Sequence, residues 1–117
     1  NTDYMRKIEK ELVSAIKENK NWGKANTMIC VDGGGFRQRV YLHGNLIAVI
    51  DNLTKTIRIN SCSWRTNITK SRMNIILQAV GVNGYVARRN HKWVYARFDG
   101  KTEHTEPFKD NMVLSFR

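Results

Sequence analysis

Hydrophobic residues recur at helical spacing at the start of the chain and at alternating positions through much of its middle. The first apolar set falls on one helical face: Met5, Ile8, Leu12, Ala15 and Ile16. Thr2 or Asp3 can cap this helix, and Asn21 and Gly23 can end it. Its apolar stripe can pack on a sheet or on a second subunit. Residues 1–22 are therefore a candidate oligomerisation element.

A run of short strands separated by turn residues follows the first helix. The predicted strands cover residues 27–31, 36–42, 46–50 and 56–60. A second helix is predicted from about Thr69 to Val80, because Met73, Ile76 and Leu77 share a face with Val80 and Gly81 can terminate it. These strands read as a meander that ends before the second helix.

The last third of the chain predicts a hairpin and a polar tail. Strands at residues 85–89 and 93–98 flank Asn90 and His91, and the tail at 100–117 is polar until 112–116, which can form a last strand or a docking segment. We expect a single α+β domain over residues 1–117. It has an N-terminal helix and a twisted antiparallel β-sheet, built from the meander and the C-terminal hairpin, with the second helix between them.

The net charge of +10 is concentrated in one part of this domain. Residues 33–98 carry eleven Lys or Arg and one acid, Asp51. Residues 1–32 carry six cations and five acids, and residues 99–117 carry three and four. A solvated surface usually mixes both signs, so the central excess favours a polyanionic partner. The cations fall mostly in strand-like sequence, which favours nucleic acid over a membrane surface.

The sequence lacks the residue patterns that several other kinds of functional site require. The glycine triplet at 33–35 has no Gly-Lys-Ser/Thr ending, the three histidines lie far apart, and no acidic pair sits in the basic region. We therefore expect no enzyme activity, no metal and no cofactor. No apolar run approaches a membrane span, no signal-peptide pattern is present, and Cys30 and Cys62 have no CxxC partner. We expect an intracellular protein with reduced cysteines.

Alternation in the second predicted strand separates an apolar face from a cationic one. Phe36, Gln38, Val40 and Leu42 share the inward face. The outward face is expected to carry Arg37, Arg39, Tyr41 and His43. In the strand at 56–60, Arg58 points outward between two inward isoleucines. Guanidinium groups beside an exposed aromatic ring suit a single strand, because the cations hold phosphates while the ring stacks a base.

The hairpin offers a second set of cations and aromatic residues whose faces depend on the length of its loop. A three-residue loop places Val86, Val94, Ala96 and Phe98 in the core. It then turns outward Tyr85, Arg89, Trp93, Tyr95 and Arg97. A two- or four-residue loop regroups these residues, and Trp93 is equally suited to the core.

The segment at residues 63–72 places hydroxyls, amides and three cations at the start of the second helix. Free N–H groups and the helix dipole there can bind phosphate, with Arg65, Lys70 and Arg72 extending the track. Capping by Thr69 with a solvated Lys70 is the simpler alternative. Trp64 can stack a base or anchor the loop in the core.

These features predict a largely sequence-independent single-stranded-DNA-binding protein. The candidate contact residues are Arg37, Arg39, Tyr41, Arg58, Arg65, Lys70, Arg72, Arg88, Arg89, Lys92, Trp93, Tyr95 and Arg97. Two alternatives stay open. One is an RNA- or duplex-DNA-binding protein, and the other is a protein that inhibits or redirects a host enzyme by docking its basic region on an acidic surface.

Two runs of sequence resemble a pattern in small proteins of tailed bacteriophages. Residues 42–48 read LHGNLIA and residues 63–74 read SWRTNITKSRMN, which follow HGN-x-IA and W-x-T-x-x-T-x-S-R-x-N. In size and charge the chain resembles the Drc-like single-stranded-DNA-binding transcription cofactors of podoviruses that package their own RNA polymerase. That resemblance implies promoter single-strand binding, recruitment of a phage RNA polymerase, homo-oligomerisation and a location in the cytoplasm of the infected host. It supplies no site residues.

Overall fold

The computed structural model describes residues 6–116, and these form an α+β fold of two helices and nine strands. The helices are α1 (Lys7–Glu18) and α2 (Asn67–Val80). The strands are β1 (Trp22–Lys24), β2 (Thr27–Asp32), β3 (Arg37–Leu42), β4 (Asn45–Asp51), β5 (Thr56–Ile59), β6 (Tyr85–Arg89), β7 (Lys92–Phe98), β8 (Glu103–Pro107) and β9 (Met112–Ser115). This arrangement confirms the predicted fold class, with an N-terminal helix and a second helix between strands.

The predicted meander forms most of a six-stranded antiparallel sheet, hereafter the main sheet. Its strand order is β1-β2-β3-β4-β5-β9, so the segment at 112–116 supplies a last strand rather than a docking segment. The long turn between β2 and β3 contains Gly34 and Gly35 with φ of 76° and 96°. Side chains rarely adopt that conformation, which explains the glycines without a phosphate-binding role.

The C-terminal hairpin does not join the main sheet as expected. It forms a separate three-stranded sheet of order β6-β7-β8, in which β8 pairs antiparallel with β7. Strand β9, rather than the hairpin, pairs with β5 at the end of the main sheet. Strand β8 was not predicted, because its sequence Glu-His-Thr-Glu-Pro has no apolar alternation and all five of its residues are exposed. An edge strand of this kind is held by its ladder hydrogen bonds and tolerates Pro107 at its end.

Helix α1 packs within the chain. Leu12, Ala15 and Ile16 are buried in the core. The apolar face of the helix therefore packs inside the protomer, which was one of the two arrangements expected for it. The helix ends at Glu18, earlier than expected, because Asn19 adopts φ 54° and its N–H bonds to the Ala15 and Ile16 carbonyls. Residues 22–24, assigned to the helix end from sequence, form β1 instead. The expected caps Thr2 and Asp3 and the apolar Met5 lie outside the described residues.

Helix α2 begins two residues before its predicted start. Thr66 rather than Thr69 is the cap: its Oγ1 accepts from the Thr69 N–H at 3.2 Å. Gly81 ends the helix at φ 88°, as predicted. Met73, Ile76 and Leu77 are buried, and one core cluster joins α1, α2, the main sheet and the second sheet. The loop from Ser61 to Thr66 therefore lies between both sheets and the start of α2.

Candidate nucleic-acid interface

The outward face of β3 carries the cations that alternation predicted. Gln38, Val40 and Leu42 are buried, while Arg37, Arg39 and Tyr41 are half-buried on the opposite face. This is the arrangement expected from the sequence, and it depends only on the two-residue period of the strand.

Strand register brings Arg58 onto the same face as the β3 arginines. Arg39 pairs with Val49 of β4, which pairs in turn with Arg58 of β5. Arg58 is exposed, and the three arginines border a depression of about 390 Å³, hereafter the sheet groove. The groove is lined by Arg37, Arg39, Leu46, Val49, Asp51, Thr56, Arg58 and Val113.

Two acids on this face pair with two of its arginines. Arg39 is ion-paired with Asp32, and Arg37 lies 4.0 Å from Asp51. The pKa of Asp51 is lowered chiefly by the Thr54 N–H, which donates to its carboxylate, with further contributions from the Leu53 N–H and Arg37. Among the described residues, Arg58 makes no ion pair. The sheet groove is thus less cationic than a count of its arginines suggests.

The β6–β7 hairpin has a two-residue loop, and this overturns the grouping expected for a three-residue loop. Arg89 pairs with Lys92, and Asn90 and His91 both have positive φ, as a type I′ turn requires. Trp93 and Tyr95 are each only 6% exposed. Neither can stack a base from the surface, so their proposed contact roles were wrong.

Other residues of the hairpin divide between the two outcomes: Val86 and Ala96 are buried and Tyr85 is exposed, as expected, whereas Phe98 and Val94 are not in the core. Phe98, expected in the core, is 54% exposed, and Val94 is half-buried. Tyr95 packs its ring against Gly84, where an added Cβ would collide with the phenol. Tyr85 is 38% exposed and its hydroxyl donates to Glu103, which raises the pKa of Tyr85.

Cations at the hairpin end surround a second concave surface of about 290 Å³, hereafter the hairpin cleft. It is lined by Arg65, Arg88, His91, Lys92, Trp93, Pro107 and Phe108. Trp93 and Phe108 pack edge to face at 5.2 Å, and the Arg65 guanidinium lies 5.1 Å from the Phe108 ring centre. Stacking of this kind holds a guanidinium in place while its edge remains free to bind an anion.

One acid faces the hairpin cleft. Asp110 lies 3.8 Å from Arg65 and accepts hydrogen bonds from the backbone and side chain of Ser61. Arg88 and Lys92 are exposed and make no ion pair among the described residues, whereas Arg89 pairs with Glu103 at 3.4 Å. Arg97 is exposed on β7. Phe108 and Asp110 were missed from sequence because the tail carries no periodic signal.

Arg72 does not contact solvent. It is 1% exposed and binds Glu9 at 3.0 Å, Thr27 at 3.1 Å and Asn26 at 3.2 Å. Burial lowers the pKa of the guanidinium, and the charge of Glu9 opposes that effect. The expected phosphate-binding role of Arg72 was therefore wrong, because its charge is used to connect α2 to α1. Lys70, two residues earlier in α2, is half-buried.

A third concave surface lies beside the cap of α2 and is almost wholly apolar. This apolar pocket has a volume of about 430 Å³. Its lining residues are Leu42, His43, Asn45, Ile47, Ser61, Trp64, Thr66, Ile68 and Thr69. Trp64 is 61% exposed and Ile68 38% exposed, which decides between the two roles open to Trp64: it does not anchor the loop in the core. Most of the side chains that carry the phage-like pattern border this pocket.

A fourth depression lies beside the sheet groove and has a volume of about 310 Å³. It shares Arg58 and Val49 with the sheet groove, and buried Ile47 lines both it and the apolar pocket. Asn60 and Asn111 border it, and their side chains bond to each other at 2.8 Å. This depression therefore adjoins the sheet groove on the side of Arg58.

Residues 6–116 contain no cluster of three or more His, Cys, Asp or Glu side chains that could hold a metal ion. None of the described helices is long and apolar enough to cross a membrane. Cys30 and Cys62 are free and half-buried, and burial raises the pKa of the Cys62 thiol.

The fold and these cationic surfaces define a small basic α+β protein, and comparison with known families identifies its group. A model of the Kyanoviridae Gp96 protein family matches residues 5–115. The chain therefore belongs to that family of phage proteins, which confirms the phage origin inferred from the sequence pattern. The family match does not extend to the Drc-like cofactors. Neither the curated proteins nor the solved structures contain a match to the chain.

Proposed function

We propose that this phage protein binds single-stranded DNA through the sheet groove and the hairpin cleft. The observation that carries the proposal is the arrangement of exposed cations around two concave surfaces, one on the outer face of the main sheet and one at the end of the hairpin. Guanidinium and ammonium groups spaced along a groove suit the phosphates of an extended strand. Contacts of this kind position a backbone and carry little sequence information, so binding is largely independent of base sequence.

Aromatic exposure supports a single strand over a duplex. The burial of Trp93 and Tyr95 removes two stacking candidates, but Trp64 is exposed and Tyr41 is half-buried on the arginine-bearing face. Helix α1 does not supply a purely cationic face to enter a major groove, since Lys17 is accompanied by Glu11 and Glu18. The observed surfaces resemble the stacking and electrostatic features of single-strand binders more than those of duplex readers.

The biological role we propose is that of a transcription or replication cofactor in the cytoplasm of the infected bacterium. The resemblance to Drc-like cofactors motivates an RNA polymerase as a partner and a homo-oligomeric assembly. The described residues of α1 bury their apolar face within the protomer. An oligomer would therefore use another surface.

A competition experiment at fixed salt tests the proposed ligand. Labelled single-stranded DNA bound to the protein is challenged with equal lengths of unlabelled single strand, duplex DNA and RNA. We expect single-stranded DNA to compete best, because its flexible backbone can follow both cationic surfaces while its bases reach aromatic side chains. Equal or better competition by duplex DNA would overturn the preference, and better competition by RNA would change the assigned ligand to RNA.

The apolar pocket favours one alternative, the binding of a host enzyme. Exposed Trp64 and Ile68 beside a concave apolar surface are also features of protein-binding sites. Pull-down from a nuclease-treated host lysate discriminates between the two functions. A host protein retained without nucleic acid, together with no direct DNA binding, would favour the host-enzyme function and contradict ours.

A further inference from the structure

The apolar pocket is built from two separate turns of the chain. Its floor is formed by buried Leu42 and Ile47, at the end of β3 and the start of β4. Trp64 borders it from the loop before α2, and its indole remains 61% exposed. Tryptophan is usually well buried, so an exposed indole at the border of an apolar pocket presents a large ring face for another flat group.

The volume and lining of the pocket restrict what can occupy it. About 430 Å³ falls in the range of small-ligand sites. The hydroxyls of Thr66 and Thr69 are bonded to each other at 3.0 Å and serve the helix cap. On the rim, the His43 and Asn45 side chains make no hydrogen bond within residues 6–116. The pocket thus offers apolar walls, an aromatic face and two free polar groups at one edge.

Charge complementarity favours a ligand that carries phosphate beside a flat ring. Trp64 lines the apolar pocket, and the next residue, Arg65, lines the hairpin cleft. Ile47 lines both the pocket and the depression that contains Arg58. A nucleotide has this combination of a planar ring with a polar edge and a phosphate on either side, whereas an apolar peptide side chain would leave both cationic neighbours unused.

We infer that the apolar pocket binds one unstacked nucleobase of the single strand, with Trp64 as the stacking surface. The flanking phosphates then lie toward Arg65 and Arg58. This inference rests on the proposed function and extends it, because it assigns a base-binding position distinct from the two phosphate-binding surfaces. His43 and Asn45 contact the polar edge of the base.

The test compares an oligo-dT of about 12 nucleotides with an abasic oligonucleotide of equal length, which keeps the phosphates and lacks the bases. Both are bound to wild type, Trp64→Ala and Trp64→Phe, with anisotropy of a terminal label as the readout. We expect wild type to prefer oligo-dT and Trp64→Ala to lose roughly 5- to 150-fold on oligo-dT, the effect of one base–aromatic stack. Its affinity for the abasic strand should stay unchanged, and Trp64→Phe should keep most of the preference.

Tryptophan fluorescence supplies a second measurement with a matched control. Oligo-dT should quench the emission of wild type and of Trp22→Phe, which removes a half-buried indole on β1. The abasic strand should quench neither. Trp64→Phe should abolish the quenching.

The outcomes separate this inference from the proposed function. If Trp64→Ala binds oligo-dT as tightly as wild type, the base is not in the pocket although the protein still binds single strands. That result would point to a protein side chain as the natural occupant. An equal loss on both oligonucleotides would also overturn base stacking. If wild type binds neither oligonucleotide, the proposed function and the inference both fail.

Discussion

The sheet groove and the hairpin cleft are both cationic, but they differ in how their charges are held. In the sheet groove Arg39 and Arg37 face Asp32 and Asp51 on the same side of the sheet. In the hairpin cleft Arg88 and Lys92 have no acidic partner among the described residues. Only Arg65 there faces an acid, at 3.8 Å.

This difference shows that a count of cations does not measure the charge available to a ligand. An arginine already paired with a carboxylate must exchange that contact for a phosphate, whereas an unpaired one only loses water. We therefore expect each exposed cation of the hairpin cleft to contribute more to binding than Arg37 or Arg39. Arg58, unpaired in the sheet groove, should resemble the hairpin cations.

The largest expected effect concerns a cation that belongs to neither surface. Arg72→Ala should lower the free energy of unfolding by about 3–5 kcal/mol, because it leaves Glu9 buried without its partner. Denaturant unfolding measures the loss. Arg58→Ala, which removes the same charge from an exposed position, should change stability by no more than about 0.5 kcal/mol. A similar small effect at Arg72 would contradict its structural role.

Aromatic residues of the two regions should also differ in how much they contribute to the stability of the fold. Trp93→Ala should cost about 3 kcal/mol of unfolding free energy, because it empties the floor of the hairpin cleft against Phe108. Tyr41→Ala on the half-buried face of β3 should cost much less. Thermal or denaturant unfolding of both variants checks the contrast. Equal losses would mean that Tyr41 is packed as tightly as Trp93.

Removing an acid should bring the sheet groove closer to the hairpin cleft. Asp32→Asn leaves the shape of the side chain nearly intact and frees Arg39 for a phosphate. We expect single-stranded DNA to bind about 1.4- to 5-fold more tightly, the effect of an exposed ion pair. Glu106→Gln is the matched control, since it removes one negative charge from exposed β8, away from the groove. A gain of the same size in the control would indicate a general effect of net charge.

The smallest effect concerns the pKa of an aspartate in a turn, and each of the two sheets has one such residue. Asp51 accepts from the Thr54 and Leu53 N–H groups, and Asp99 accepts from Thr102 and Lys101. The Thr102 N–H, then His104 and the Lys101 N–H, lower the pKa of Asp99 to about 2. Because the folded pKa is depressed, this turn's stabilisation is complete above the ordinary value near 3.8 and is lost as pH falls through about 2. Carboxyl NMR shifts should show that midpoint, and a midpoint near 3.8 would contradict the turn.

The two regions also differ in how well the sequence predicts them. In β3, the period of two decides the face of every residue once the strand is recognised, and Arg37, Arg39 and Tyr41 lie where alternation places them. In the hairpin, one residue of loop length reverses the faces, so Trp93 and Phe98 were exchanged between core and surface. The alternation of residues within each strand does not determine how the two strands pair, because that pairing depends on the length and type of the turn between them.

Long-range contacts account for the remaining misses. Arg72 looks like a surface cation at a helix start, and only its contact with Glu9, 63 positions away, shows that it is buried. Phe108 lines the hairpin cleft and Asp110 lies near its Arg65, and both come from a tail without periodic signal. The apolar pocket likewise joins residues from two distant turns. The spacing of residues in the sequence could not predict this lining, although several of the lining residues belong to the phage-like sequence pattern.

The central claim, that the two cationic surfaces bind the phosphates of a single strand, is tested most directly by a salt titration of labelled oligo-dT binding. Wild type is compared with Arg88→Ala/Lys92→Ala, with Arg37→Ala/Arg39→Ala, and with Lys10→Ala/Lys17→Ala, which removes the same charge from the exposed face of α1. The slope of log affinity against log salt is negative, and we expect the hairpin pair to reduce its magnitude by about 1.4, the sheet pair to reduce it less, and the α1 pair to leave it unchanged. An equal decrease in all three variants, or none at either surface, would contradict the account.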